Sequence, residues 1–164
     1  MVEERIIKIN ERKIGDYQQT FIIAEVGINH NGDMKTAKML IKEAKNAGAD
    51  AVKFQTYNTE KRVPKGSPIY GILKKCELSE KNSIDLINFA KENKIIFFST
   101  PFDDESVNLL KKFNVPLMKI ASFDIANLKL LESVAKTGIP TIISRGMAKK
   151  EEVDTALELS LIHI

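Results

Sequence analysis

The chain reads as an α/β protein on a parallel sheet, and its predicted architecture is a (β/α)8 TIM barrel, here incomplete at about five to six βα units. Three observations predict this. Five apolar, strand-like runs alternate with five amphipathic helical patterns along 164 residues. Polar residues gather where each strand stops, as they do at the C-terminal face of a barrel. The turn after the first main strand, Gly27-Ile28-Asn29-His30-Asn31-Gly32, does not carry the glycine-rich phosphate fingerprint expected of an open doubly wound sheet.

The elements follow in order. Residues Glu4 to Thr20 alternate apolar and polar positions around a polar turn at Asn10 to Lys13, predicting a short hairpin ahead of the main fold, so residues 1–20 form an N-terminal extension. Phe21 to Glu25 is the first compact strand. Asp33 then caps a helix with Ala37, Leu40, Ile41 and Ala44 on its buried face and Gly48 as its stop. Ala51 to Gln55 is the second strand. Tyr57 to Glu77 carries Pro64, Gly66, Pro68 and Gly71 without a sustained period and reads as a long loop with a short helical turn near Ile69 to Lys75. Ser79 caps the next helix, with Ile84, Ile87 and Ala90 facing inward, and Ile95 to Phe98 is the third strand. Asp103 or Asp104 starts a helix that buries Val107, Leu110 and Phe113, and Pro116 to Ile120 is the fourth strand. Asn127 caps a helix through Leu128, Leu131, Val134 and Ala135. Pro140 to Ser144 is the fifth strand, and a last helix runs from about Lys149 toward Leu159.

Composition narrows the class. With 43% hydrophobic and 29% charged residues the chain has the balance of a soluble globular protein, and its +3 charge is spread along its length. The stripe Lys35, Lys38, Lys42 and Lys45 is interrupted by Glu43 and has no aromatic platform beside it, so it reads as a solvated face and not a nucleic-acid site. Cys76 is the only cysteine, which excludes an intrachain disulfide framework. There is no signal-peptide run at the N-terminus and no apolar stretch approaching the roughly 20 residues that span a bilayer. The expectation is a cytoplasmic protein without a membrane partner.

The strands carry the chemistry. In Ala51-Val52-Lys53-Phe54-Gln55-Thr56, Val52 and Phe54 share one face while Ala51, Lys53 and Gln55 share the other. A lysine inside an apolar strand holds an anion, pairs with a nearby carboxylate, or lies on an exposed edge. The fourth strand repeats the arrangement, with Leu117, Lys119 and Ala121 on one face and Met118 and Ile120 on the other. Joined by the hydroxyls of Thr100, Ser122 and Ser144 at other strand ends, the two lysines describe a site for a small, multiply charged anion such as a phosphate or carboxylate. Glu25 and Asp124 add rim carboxylates that can bind a polyhydroxylated substrate or move protons, with helix capping the other role open to Asp124. His30, in a glycine- and asparagine-rich turn, reads as a local hydrogen-bonding residue and not a metal ligand.

The segments at residues 21–33, 47–56 and 98–103, with Lys119-Ile120-Ala121-Ser122 and Gly146-Met147, resemble the sialic acid synthase (N-acetylneuraminate synthase) family in order and spacing from about Phe21 to Glu158. The resemblance implies a barrel that condenses phosphoenolpyruvate with an N-acylated aldose of the N-acetylmannosamine type, giving a nonulosonic acid and phosphate. It places phosphoenolpyruvate contacts on Lys53, Gln55, Thr100, Lys119, Ser122 and Ser144, sugar binding on Glu25, and an acidic residue after the strand-four motif on Asp124. It implies a divalent metal, manganese or magnesium, whose ligands lie on strands beyond this chain, and a homodimeric full-length enzyme. Phe123, where many sialic acid synthases carry glycine, looks more like the pseudaminic acid synthases, so a 2,4-diacetamido acceptor of pseudaminic or legionaminic type is the alternative. Arg145 stands where the family usually has threonine, and the loop from Tyr57 to Glu77 is shorter than in typical members.

Residues 21–158 then form a partial barrel domain. Leu159 to Ile164 read as a non-native tail of the kind a sequencing adapter encodes, and His163 is too close to Gly146-Met147 to be one of the family's metal ligands. Two further readings remain beside the synthase. One is a lysine Schiff-base aldolase using Lys53 or Lys119. The other is a catalytically incomplete barrel fragment without activity.

Overall fold

The computed structural model describes residues 6–161. A two-stranded antiparallel hairpin, β1 (Ile6–Ile9) and β2 (Arg12–Gly15), precedes a five-stranded sheet. Its strands are β3 (Ile23–Gly27), β4 (Ala51–Thr56), β5 (Ile96–Pro101), β6 (Met118–Ile120) and β7 (Thr141–Ile143). All four pairings are parallel, and the spatial order β3-β4-β5-β6-β7 follows the chain without reversal. An unreversed order is that of a barrel wall, whereas a doubly wound sheet changes direction at a switch point. The described residues therefore make five βα units of an incomplete barrel.

The helices are α1 (Met34–Asn46), α2 (Thr59–Arg62), α3 (Tyr70–Cys76), α4 (Glu80–Glu92), α5 (Asp104–Lys112), α6 (Leu128–Ala135) and α7 (Lys150–Leu161). Asp33, Ser79, Asp103 and Asn127 accept backbone N–H groups at the starts of α1, α4, α5 and α6, as their types and positions predict. Val52, Phe54, Phe97, Met118 and Ile120 pack outward against α1, α4, α5 and α6 through Ile41, Leu86, Leu110 and Leu131. Alternation then turns Ala51 and Lys53, Phe98 and Thr100, and Leu117 and Lys119 to the opposite, inner face.

The hairpin seals the N-terminal end of that inner face. Ile9 is buried with Ala51, Phe98 and Leu117. Arg12 Nε donates to Asp50 Oδ1 at 3.0 Å, and Asp50 Oδ2 accepts from the Ile22 N–H at 2.8 Å, so one aspartate ties the hairpin to the entries of β3 and β4.

Three expectations need correction. The hairpin turn is only Asn10-Glu11, because Arg12 and Lys13 pair with Ile9 and Lys8 in the ladder; Asn10 adopts φ +52°, which asparagine tolerates. The segment after β4 is not one loop with a single turn. It holds α3 and also α2, whose single turn is capped by Asn58 and is too short to show a period. In α4 the face turned inward is Ser83, Leu86 and Ala90, while Ile84 is exposed and Ile87 only partly covered. Apolar residues at 84, 86, 87, 89 and 90 allow either register, and packing on the sheet selects the second. The expected tail straddles the limit of the described residues, and His163 lies outside them.

Candidate active site

Because the sheet is parallel throughout, the C-terminal ends of its strands open on one side, and the inward residues there line a cavity of about 240 Å³. Its walls include Glu25 from β3, Lys53 and Gln55 from β4, Thr100 from β5, Lys119 from β6, and Ser122 and Ser144 from the following turns. Seven of the eight site residues predicted from sequence meet here; Asp124 is the exception.

Lys53 is buried on a central strand, which removes the exposed-edge alternative. It does have a carboxylate partner. Glu25 lies directly across the β3–β4 ladder, with Oε2 2.8 Å from Nζ, and Thr100 Oγ1 accepts a second bond at 3.2 Å. The two ends of the pair differ: the lysine side chain is 7% exposed and the glutamate 61%, so the carboxylate reaches into the open mouth while the ammonium stays in the floor. Lys119 donates to Ser144 Oγ and, at 2.8 Å, to the Ile120 carbonyl. Burial, and then the Lys53 charge, lower its pKa from the ordinary lysine value. Two ammonium groups face one lining carboxylate, so the cavity has an excess of cationic donors and room for a small anionic ligand.

Asp124 stands apart. It sits on the single 3-10 turn Ser122–Asp124, and its half-buried carboxyl is not among the groups lining the cavity. Its Oδ2 has no hydrogen-bond partner among the described residues, and burial pushes its pKa up despite the nearby Arg62 charge. Asn127, not Asp124, caps α6.

Two features of the wall escape a sequence reading. Phe102 and Phe123 stack at 5.8 Å and 11° on one side of the cavity. Behind them Arg62, from the unanticipated α2, donates to Gln55 Oε1 at 3.0 Å and lies over the Phe102 ring at 3.8 Å. Phe102 does follow the strand-three end Thr100-Pro101, where a site residue was to be sought; Arg62 gave no signal inside an aperiodic segment.

The divalent cation implied by the resemblance does not fit the described residues, among which no group of three or more His, Cys, Asp and Glu side chains could hold a metal ion. His30 is buried against Phe54, and its Nδ1 accepts the Gly32 N–H at 3.2 Å, the local role expected of it. Among the same residues, no helix is long and apolar enough to cross a membrane.

The sequence profile of the NeuB family matches residues 40–161. The N,N'-diacetyllegionaminic acid synthase of Legionella pneumophila is 40% identical over 158 residues, covering 88% of this chain and 44% of that protein. The N-acetylneuraminate-9-phosphate synthase of Homo sapiens is 34% identical over 161 residues, covering 90% and 45%. Among solved structures, the N-acetylneuraminic acid (sialic acid) synthetase of Leptospira borgpetersenii superposes with a TM-score of 0.94 at 39% identity over 98% of this chain and 56% of that one. A truncated 3-deoxy-D-arabino-heptulosonate 7-phosphate synthase from Thermotoga maritima, at 16% identity and a TM-score of 0.73, shares the fold. The chain spans about half the length of the relatives it matches. A profile match over most of the chain, relatives at 34–40% identity and a barrel-wall sheet with a lysine-lined mouth lead to one assignment: the chain belongs to the NeuB family, the sialic acid synthase family.

Proposed function

We propose that the whole protein, a cytoplasmic homodimer, condenses phosphoenolpyruvate with an N-acylated aldose to give a nonulosonic acid and phosphate. The observation that carries this reading is the pair of inward lysines, Lys53 and Lys119, ringed by Thr100, Ser122 and Ser144 in a small cavity. In the reaction, C3 of phosphoenolpyruvate forms a bond to the aldehyde carbon, water adds at C2, and phosphate leaves by C–O cleavage. Lys53 and Lys119 hold the anionic phosphate and carboxylate as charge develops at C2, and the hydroxyls orient them. Glu25, at the exposed end of its ion pair, binds the sugar, and Asp124 serves as the acid or base near the rim. The manganese or magnesium expected in this family would find its ligands in the rest of the protein, so the role assigned to these residues is anion binding and charge stabilisation.

The acceptor is an N-acetylmannosamine-type sugar or a 2,4-diacetamido sugar. Phe123 at the rim favours the second. Phosphate release by the full-length protein, with phosphoenolpyruvate, manganese and each sugar in turn, tests the reading; no release with any of them refutes it. The aldolase alternative has one observation behind it, the lowered pKa of Lys119, which frees an amine more readily than usual. Borohydride reduction in the presence of pyruvate separates the two, since only the aldolase leaves a covalent adduct.

A further inference from the structure

We propose that Arg62 is a positioning residue that locks the Gln55 amide, so that its Nε2 donor, not its Oε1 acceptor, is left to the ligand. The inference rests on the reading of the cavity as a phosphoenolpyruvate site. A guanidinium has donors only, so the Nη1 bond to Oε1 at 3.0 Å fixes which end of the amide faces it. The NH2 group is thereby turned toward the end of β3, where a Cβ on Gly27 would lie 3.7 Å from Nε2. Gln55 itself lines the cavity, so a neutral donor joins the two lysines around an anion. Without Arg62 the two amide orientations would differ little in energy, and half of them would present a carbonyl oxygen to a negative ligand.

Arg62 is built to hold still. Its guanidinium carbon lies 3.8 Å from the Phe102 ring centroid and 4.7 Å from that of Tyr57, a planar cation against aromatic faces. The turn that carries it is pinned at both of its first N–H groups: Asn58 donates to Asp103 Oδ2 and Thr59 to Glu77 Oε2, each at 2.9 Å. Phe102, like Gln55, lines the cavity, so one side chain supports two neighbouring parts of the same wall.

The test uses the full-length protein with selectively 15N-labelled glutamine, together with calorimetric titration of phosphoenolpyruvate. In the wild type the Gln55 side-chain amide is expected to be as ordered as the backbone, and in Arg62→Met to become mobile. Arg62→Met is expected to weaken phosphoenolpyruvate binding about fivefold, about twofold because only half of the amides then present the donor and the rest from ordering a side chain left mobile, with kcat changed less than about threefold. The double variant with Gln55→Met is expected to bind no more weakly than Gln55→Met alone, because Arg62 acts only through the amide. Should Arg62→Met fail to fold, Arg62→Lys, which keeps the cation without the planar fork, is expected to loosen the amide part-way. A Gln55 amide as ordered in the variants as in the wild type, or additive losses in the double variant, overturns the proposal. If the wild type neither binds phosphoenolpyruvate nor releases phosphate while Arg62→Met still frees the amide, the ligand reading fails and the positioning role stands.

Discussion

Lys53→Met separates what the lysine does for the fold from what it does for the site. Methionine matches the length and volume of the lysine stem, so no cavity opens in the floor. Replacing a wholly buried ion pair by apolar groups is neutral or stabilising by about 1–4 kcal/mol. Here only the lysine is buried, and Glu25 can return its carboxylate to water, so the gain lies at or below the bottom of that range. Against it stands the buried Thr100 hydroxyl, which loses its bond to Nζ at a cost of about 1 kcal/mol. The two offset, and stability is expected to stay within about 1 kcal/mol of wild type. Activity has no such offset. Removing a preorganised donor from developing charge costs about 2.7–4 kcal/mol, a fall of about 10²–10³ in turnover. Urea unfolding and phosphate release on the same preparation measure both. A variant that turns over within about threefold of wild type would refute the assignment of Lys53 to the anion. One destabilised by more than about 3 kcal/mol would show that the ion pair is there for the fold.

Other perturbations probe other parts. At Gly32, φ is +76° and an added Cβ would lie 2.2 Å from the Lys75 carbonyl oxygen, so Gly32→Ala is expected to cost about 3 kcal/mol or more from backbone strain plus displacement of α3, read by urea unfolding; a loss under about 1 kcal/mol would contradict the close approach. Asp50→Ala removes the anchor of Arg12 and of the Ile22 N–H at the end of the sheet remote from the cavity, and is expected to cost about 2–3 kcal/mol, read by urea unfolding; a loss under about 1 kcal/mol would mean that apolar contact alone holds the hairpin. Asp124 has a folded-state pKa raised by burial, so the native state binds the extra proton between the ordinary value of 3.8 and the raised one, and stability contributed by this group falls as pH rises through that window. Asp124→Asn should therefore flatten the pH dependence of the urea midpoint there and raise stability at neutral pH; an unchanged slope counts against a buried, unpaired carboxyl.

Much of this was legible in residue types alone, for reasons specific to each element. The strands announce themselves because Lys53 and Lys119 interrupt apolar alternation at equivalent places, and a parallel sheet sends all its C-terminal ends to one side. Four helix starts were readable because a capping carboxylate, hydroxyl or amide acts on N–H groups two or three residues away. What was hidden depends on long-range contact. The register of α4 is chosen by the sheet beneath it, since its own apolar residues fit two faces. The α2 turn is held by Asp103 and Glu77, carboxylates 45 and 18 residues away in sequence, and nothing local announces it. Asp124 reads from sequence as a rim carboxylate, but it sits on a 3-10 turn that no local signal announces and does not line the cavity.

The same contrast bears on how the site is held. At the N-terminal end of the sheet the inner face is closed by apolar contact, with Ile9 against Ala51, Phe98 and Leu117, and by the Arg12–Asp50 bridge. Two residues further along the chain the inward side chains become Lys53, Thr100 and Lys119. Each inward lysine therefore rises from a strand whose preceding inward residue, Ala51 or Leu117, is fixed in a close-packed plug, and its stem has little freedom to swing away from the mouth. Preorganisation of that kind matters most for a ligand as strongly hydrated as phosphate, because donors already in place do not have to be ordered when it binds. Loosening the plug should then weaken anion binding without touching the cavity. Ile9→Ala, buried among groups that never reach the site, is the variant in which phosphoenolpyruvate affinity and stability are expected to fall together. Titration of the folded variant at low temperature measures the first independently of the second, and affinity equal to wild type would mean that the lysines are held by their own partners alone.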